Sequence, residues 1–262
     1  LFVRTLDIAA KLHQTGGEPD AGSRWTRLAE RIRHALRKNA WSEHDGLFVD
    51  GLSEMPPTFS QHAQVMAILC GATDDHQRRR IGRRLLNDKR LVTMSLSQRF
   101  WLARALEKLD CYDAFFSDVL APWRTMLAHG LTTWPERADP CRSDCHGWSA
   151  WMVYDFFASV LGVTAVEPGW KHIQIAPHIS VTDYAAGAFD CPTGRISVEW
   201  SKTISARTVV LQLATPPGVP VTIRIAGSSL HLPTGANGRW TFPLPQDLAY
   251  KALHQGTYVI PR

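Results

Sequence analysis

The residues best suited to chemistry in this 262-residue chain are gathered in one stretch. Leu131-Thr132-Thr133-Trp134-Pro135-Glu136-Arg137 is followed, ten positions after Glu136, by His146 in the run Asp144-Cys145-His146-Gly147-Trp148-Ser149-Ala150. A carboxylate between an indole and a guanidinium, with an imidazole and a second indole a short loop away, has the composition of a sugar pocket. Aromatic faces suit the ring, polar groups suit the hydroxyls, and one acid can move a proton. Read as isolated residues they make an ordinary connecting loop with a solvated Glu136 and core tryptophans. The clustering of Trp134, Glu136, Asp144, His146 and Trp148 within fifteen positions favours the pocket. Cys141, Cys145 and His146 are soft donors, but they lack a paired Cys-x-x-Cys and a fourth ligand, so neither a metal nor a cofactor is expected.

The elements that must hold this loop are helices before it and strands after it. Residues 1–14 place Phe2, Leu6, Ala9 or Ala10 and Leu12 on one helical stripe ended by Gly16-Gly17, and Asp20 or Ser23 would cap a second helix to about Asn39. Periodicity vanishes from Ala40 to Phe59. A third helix opens at Ser60-Gln61-His62, where His62 in the first turn is a further candidate ligand contact. A basic helix covers about 75–88, another opens at Ser95 or Ser97, and the next, from Asp110 or Asp113, contains Pro122, which predicts a kink or break. Residues 147–161 are apolar nearly all round and predict a helix buried on most sides. At Glu167-Pro168-Gly169 the period becomes two. Expected strands are 170–179, the pair 184–189 and 195–200 about Cys191-Pro192-Thr193-Gly194, and the pair 209–214 and 219–226 about Pro216-Pro217-Gly218. Further short strands are expected at 230–232, 239–244 and 256–260. Two domains follow, helical over 1–165 and a β-sandwich over 166–262.

A net charge of +5 raises the question of nucleic acid. Arg78, Arg79, Arg80, Arg83, Arg84, Lys89 and Arg90 supply much of it, on a helix face with no interleaved aromatics, so a solvated face is expected and no nucleic-acid partner. No run of eighteen apolar residues predicts a membrane span. Five irregularly spaced cysteines favour a reducing, cytoplasmic compartment over the periplasm. The opening Leu1-Phe2-Val3-Arg4 reads as helical from the outset and suggests a piece of a longer protein.

The order of these features resembles the C-terminal half of the family-78 α-L-rhamnosidases. The resemblance runs through Asp45-Gly46-Leu47-Phe48-Val49-Asp50-Gly51, Ser60-Gln61-His62-Ala63 and Gly130 to Glu136. It continues in Cys145 to Ala150, Val160-Leu161-Gly162-Val163, Pro168-Gly169 and Ile173-Gln174-Ile175-Ala176-Pro177. It implies part of a six-hairpin α/α barrel followed by an antiparallel β-sandwich, and release of L-rhamnose from a rhamnosylated glycoside with inversion. Glu136 then falls where the family keeps its general base and His146 where it keeps a sugar-binding histidine. Trp134 and Trp148 would pack the apolar face and methyl of the 6-deoxy sugar, and Asp144 would bond a hydroxyl. Two departures stand out. The acidic motif that supplies the family's general acid does not occur here, which assigns it to a missing N-terminal half of the barrel. Pro135 separates Trp134 from Glu136, where relatives run Trp-Glu directly. The alternatives are a non-catalytic carbohydrate-binding or scaffold module and a hydrolase of another glycoside.

Overall fold

The computed structural model describes residues 1–53, 55–138 and 141–244. The chain divides into two compact units, one covering Leu1–Ser149 and the other beginning at Ala150. The expected strand at 256–260 lies outside the described residues.

The first unit is built from helices. α1 (Phe2–Thr15) and α2 (Pro19–Asn39) form a hairpin whose turn passes through Gly17 at φ 84°. α2 begins ahead of both expected caps, because Pro19 at its first turn has no amide to satisfy. The face of α1 that meets its neighbours is Val3, Leu6 and Ala10, whereas Phe2 and Leu12, expected on the buried stripe, are 62% and 68% exposed. β1 (Trp41–Ser42) and β2 (Leu47–Phe48) close the Asp45-Gly46 turn as a small ladder. After β3 (Phe59–Ser60), the Ser60 hydroxyl accepts from the Ala63 amide at 3.2 Å and caps α3 (Gln61–Leu69). Buried Gln64 accepts from the Phe48 amide at 2.8 Å and donates to the Phe48 carbonyl at 2.7 Å, tying the turn-rich segment to α3.

The last carbonyls of α3 are covered by cations from three other helices. Arg4 donates to Leu69 at 3.2 Å, Arg33 to Cys70 at 2.5 Å, Arg37 to Gly71 at 3.2 Å and Lys108 to Ile68 at 2.9 Å. These match the negative end of the helix dipole. Burial lowers the Lys108 pKa.

α4 (Asp75–Gly82) starts at a capping box of Asp74 and Gln77 and ends six residues short of the expected boundary. Arg79 and Arg83 are exposed as expected, but other arginines of this stretch are not merely solvated. Arg80 pairs with Glu43 and lies 5.6 Å over the Trp41 ring, and Arg84 donates to the Asp45 carbonyl. Arg90, just before β4 (Leu91–Val92), pairs with Asp45 at 2.8 Å and Asp88 at 2.9 Å. Hydrogen bonds from Ser42 and Arg90 hold the Asp45 carboxyl below its ordinary range, and Arg90 does the same for Asp88. In the unfolded chain these carboxylates titrate near the usual value of about 3.9, so between that value and the lowered native ones the unfolded state binds more protons. Stability is therefore expected to fall on acidification below about pH 4. Urea midpoints at pH 7 and pH 3 check this, and Asp45→Asn should shrink the difference.

α5 (Arg99–Lys108) and α6 (Tyr112–Ala128) complete the helices of this unit among the described residues. α6 runs through Pro122 unbroken. Pro122 cannot donate to the Asp118 carbonyl one turn back, and Arg99 donates to that carbonyl instead at 3.3 Å. Burial pushes the Cys111 thiol up to about 12, so it stays protonated at neutral pH. Cys70, Cys111, Cys145 and Cys191 are free, and no helix among the described residues is long and apolar enough to cross a membrane.

In the second unit, α7 (Trp151–Asp155) passes into a π-turn over Phe156–Val160. The expected burial on most sides does not occur. Met152, Asp155, Ser159 and Val160 are buried, while Tyr154 and Phe156 are 54% and 43% exposed. Two four-stranded sheets follow in chain order after β5 (Arg137–Ala138) and β6 (Cys141–Arg142), which belong to the hairpin described below. One joins β7 (Val163–Ala165), β8 (Ile173–Ile175), β12 (Val221–Ile225) and β13 (Ser228–Leu232) in the order β13-β12-β8-β7. The other joins β9 (Tyr184–Cys191), β10 (Gly194–Thr203), β11 (Thr208–Ala214) and β14 (Asn237–Pro243) in the order β14-β11-β10-β9. The β9–β10 hairpin forms as expected, with Cys191 opposite Gly194.

Three strand expectations are corrected. Only 173–175 of 170–179 is a strand, because a 3-10 turn over Pro168–Trp170 precedes it and Pro177 follows. β8 and β12 pair in parallel, so the sheets are not wholly antiparallel. β11 and β12 lie in different sheets rather than in one hairpin. The Pro216-Pro217-Gly218 linker bonds elsewhere: Thr215 donates to the Ala236 carbonyl at 2.8 Å and Gly218 to that of Thr234 at 2.9 Å.

Candidate active site

The stretch richest in chemical groups folds as a bulged β-hairpin. The His146 amide donates to the Trp134 carbonyl at 2.5 Å, and the Glu136 amide to the Ser143 carbonyl at 3.3 Å. Beyond these rungs β5 (Arg137–Ala138) and β6 (Cys141–Arg142) pair antiparallel, with Arg137 opposite Arg142. Between the two rungs one arm carries only Pro135 and the other carries Asp144 and Cys145. That extra residue makes a bulge, and Ser143 takes up the bend at φ 51°. The Thr133 hydroxyl donates to the Asp144 carbonyl and fixes the bulged arm.

Two buried groups bolt the hairpin to α6. The Ser149 hydroxyl donates to the Pro135 carbonyl at 2.7 Å, and the Ser149 carbonyl accepts from the Trp123 indole at 2.9 Å. Pro135 is itself buried, and along an extended arm side chains alternate, so half-buried Trp134 and Glu136 share the face opposite it. Pro135 therefore acts as an anchor that sets where Glu136 emerges. Sequence reasoning missed Thr133, Ser149 and Trp123 as positioning groups.

The imidazole of His146 stands edge-on to the Trp148 indole, with ring centroids 4.4 Å apart and planes at 82°. Its Nδ1 is shielded from solvent and has no hydrogen-bond partner among the described residues. Trp148 is 63% exposed. An imidazole edge-on to an open aromatic face is chemically suited to a hydroxylated ring. Asp144 is exposed at the bulge. The hairpin and the residues directly after it thus hold Trp134, Glu136, Asp144, His146 and Trp148 in one unit. His62 sits half-buried in the first turn of α3, and no hydrogen bond or ring contact among the described residues joins it to the hairpin. No group of three or more histidine, cysteine or acidic side chains that could hold a metal occurs among the described residues.

Residues 162–239 match the family described as the bacterial alpha-L-rhamnosidase C-terminal domain. Among solved structures the chain is similar to the GH78 family rhamnosidase of Bacillus sp. GL1, with 24% identity and a TM-score of 0.75 over 85% of this chain and 25% of that one. It is similar to the α-L-rhamnosidase of Aspergillus terreus, with 18% identity and a TM-score of 0.76 over 93% of this chain and 30% of that one. The Streptomyces avermitilis α-L-rhamnosidase, solved with L-rhamnose, gives 16% identity and a TM-score of 0.72 over 92% of this chain and 26% of that one. At such identities the likeness is one of fold, and the chain spans between a quarter and a third of the length of these proteins. No curated protein matches. The resemblance to the C-terminal portion of family-78 α-L-rhamnosidases holds in the fold and in the segment 162–239.

Proposed function

We propose that this chain is the C-terminal part of an inverting α-L-rhamnosidase that hydrolyses terminal α-L-rhamnosyl linkages. In this reading residues 1–165 are part of an α/α barrel, and residues 166–262 are a β-sandwich made from the two sheets. The observation that carries it is the bulged hairpin, which places Glu136 two residues from Trp134 and bonds its far arm at His146, beside the exposed Trp148. Glu136 is the general base. It deprotonates a water on the face of the sugar opposite the leaving group, across about 6.5–9.5 Å from a carboxylic acid that protonates the glycosidic oxygen. That acid comes from the N-terminal portion of the parent. The His146 imidazole bonds a sugar hydroxyl, Asp144 bonds another, and Trp134 and Trp148 pack the ring and its methyl. His62 is a further sugar contact from α3. No metal or cofactor enters the reaction.

The test is the full-length parent on a panel of aryl glycosides, with the anomer released followed by proton NMR. Turnover of the α-L-rhamnoside with the β-anomer released first supports the reading, and a preference for another glycoside, or retention, overturns it. Trp148→Ala in the same protein should raise KM about tenfold with a smaller change in kcat, the loss of one aromatic contact in the ground state and transition state alike.

For the 262-residue chain by itself, binding without turnover is the second reading, favoured by the lack of an acidic motif and by its covering 25–32% of the solved rhamnosidases it resembles. Rhamnose titration followed by tryptophan fluorescence separates the two.

A further inference from the structure

Two hydroxyls clamp the hairpin, and they act on different peptide units. A peptide unit is planar, so holding both of its ends fixes it. The unit between Pro135 and Glu136 is held in this way: its carbonyl accepts from the Ser149 hydroxyl at 2.7 Å, and its N–H donates to the Ser143 carbonyl at 3.3 Å. The longer bond is backed by the shorter one, and Glu136 leaves a plane that is tied on both sides. Ser149 is wholly buried, and its own carbonyl accepts from the Trp123 indole at 2.9 Å, so this clamp reaches back to α6. The second clamp serves the other arm. Pro135 has no N–H to offer across the bulge, and the Thr133 hydroxyl donates to the Asp144 carbonyl there. That bond holds the unit between Asp144 and Cys145, next to the rung that His146 makes on Trp134. Thr133 is exposed where Ser149 is buried.

We propose that these hydroxyls are positioning residues with separate tasks: Ser149 aims Glu136 at its water, and Thr133 sets the arm that carries Asp144 and His146 against the sugar. This rests on the rhamnosidase reading. A general base gains its interaction with water in the transition state, whereas contacts to sugar hydroxyls hold the substrate before and during the reaction alike. Loosening the first clamp is therefore read in kcat, and loosening the second in KM.

Variants of the full-length parent are assayed on an aryl α-L-rhamnoside, with each rate taken per folded molecule from thermal melts of the same samples. Ser149→Ala should lower kcat about 30–100-fold at nearly constant KM, the cost of a carboxylate displaced by about 1 Å. Should that variant fail to fold, Ser149→Cys, which keeps the size and a weak donor, carries the same comparison with a loss of about tenfold. Thr133→Val should raise KM about fivefold, the worth of one hydrogen bond, with kcat within about twofold. The decisive readout is the serine change made in the Glu136→Gln background. Acting through the carboxylate, it should alter kcat there by less than about threefold. A loss as large in that background as in the native one makes Ser149 a structural residue and overturns the proposal, and so does a Thr133→Val effect confined to kcat. A parent that turns over no rhamnoside, or one indifferent to Glu136→Gln, ends the functional reading and this proposal with it. A parent that depends on Glu136 yet is indifferent to the serine change ends the proposal alone.

Discussion

Glu136→Gln in the full-length parent is expected to lower kcat for an aryl α-L-rhamnoside by about 10²–10⁴-fold, with KM little changed. Glutamine keeps the shape and hydrogen-bonding edge of the side chain, so the Ser143 rung, the bulge and the Pro135 anchor persist, while the carboxylate proposed to accept a proton from water is gone. An interaction made only in the transition state is lost from kcat and kcat/KM together, and that is the pattern to look for. Azide offers a check on the role. An external nucleophile that needs no deprotonation should restore part of the rate in the variant and leave the native enzyme unaffected. Turnover within a few-fold of the native enzyme would remove Glu136 from the mechanism.

Trp200→Ala carries the largest expected loss of stability, about 4–6 kcal/mol. Trp200 is fully buried in β10 between the inward-facing Val198 and the strand end, and its indole donates to the Val160 carbonyl at 3.1 Å. Deletion of a buried Trp side chain costs about 3–5 kcal/mol, and the stranded carbonyl adds about 1 kcal/mol. Against a domain stability of about 5–15 kcal/mol this is a large fraction. Chemical denaturation should show the transition of the second unit moving alone, and Glu199→Ala on the exposed side of the same strand should move it by less than about 0.5 kcal/mol. A shift under about 1 kcal/mol for Trp200→Ala would mean that this indole is not a core residue.

The features legible in the sequence were those set by short-range rules. Ser60 capping α3, the turn at Gly16-Gly17 and the alternation of β10 follow from local chemistry and period alone. What escaped depended on partners distant in sequence. Pro122 was read as a kink or a break because no local residue replaces its missing hydrogen bond; the helix is not broken, and Arg99, from α5, covers the freed carbonyl. The run from Trp148 to Val160 was read as buried because apolar composition does not reveal whether the covering surface is present, and Tyr154 and Phe156 stand open. β11 and β12 looked like a hairpin across two prolines, yet Thr215 and Gly218 bond to the 234–236 segment and send the strands to different sheets. Likewise, the clustering about Glu136 was visible as composition, while the bulge that aims it came only from the pairing of Trp134 with His146.

The cations over the last turn of α3 have a consequence for how the first unit comes apart. Each of them reaches its carbonyl across 34 to 65 positions of chain. The turn therefore gains its caps only once α1, α2 and α5 have all arrived, and no subset of these helices is fully satisfied without the others. Such mutual dependence makes α3 a keystone: the helices that surround it should open in one step, and backbone amides far apart in α1 and α5 should share a single opening free energy in hydrogen exchange.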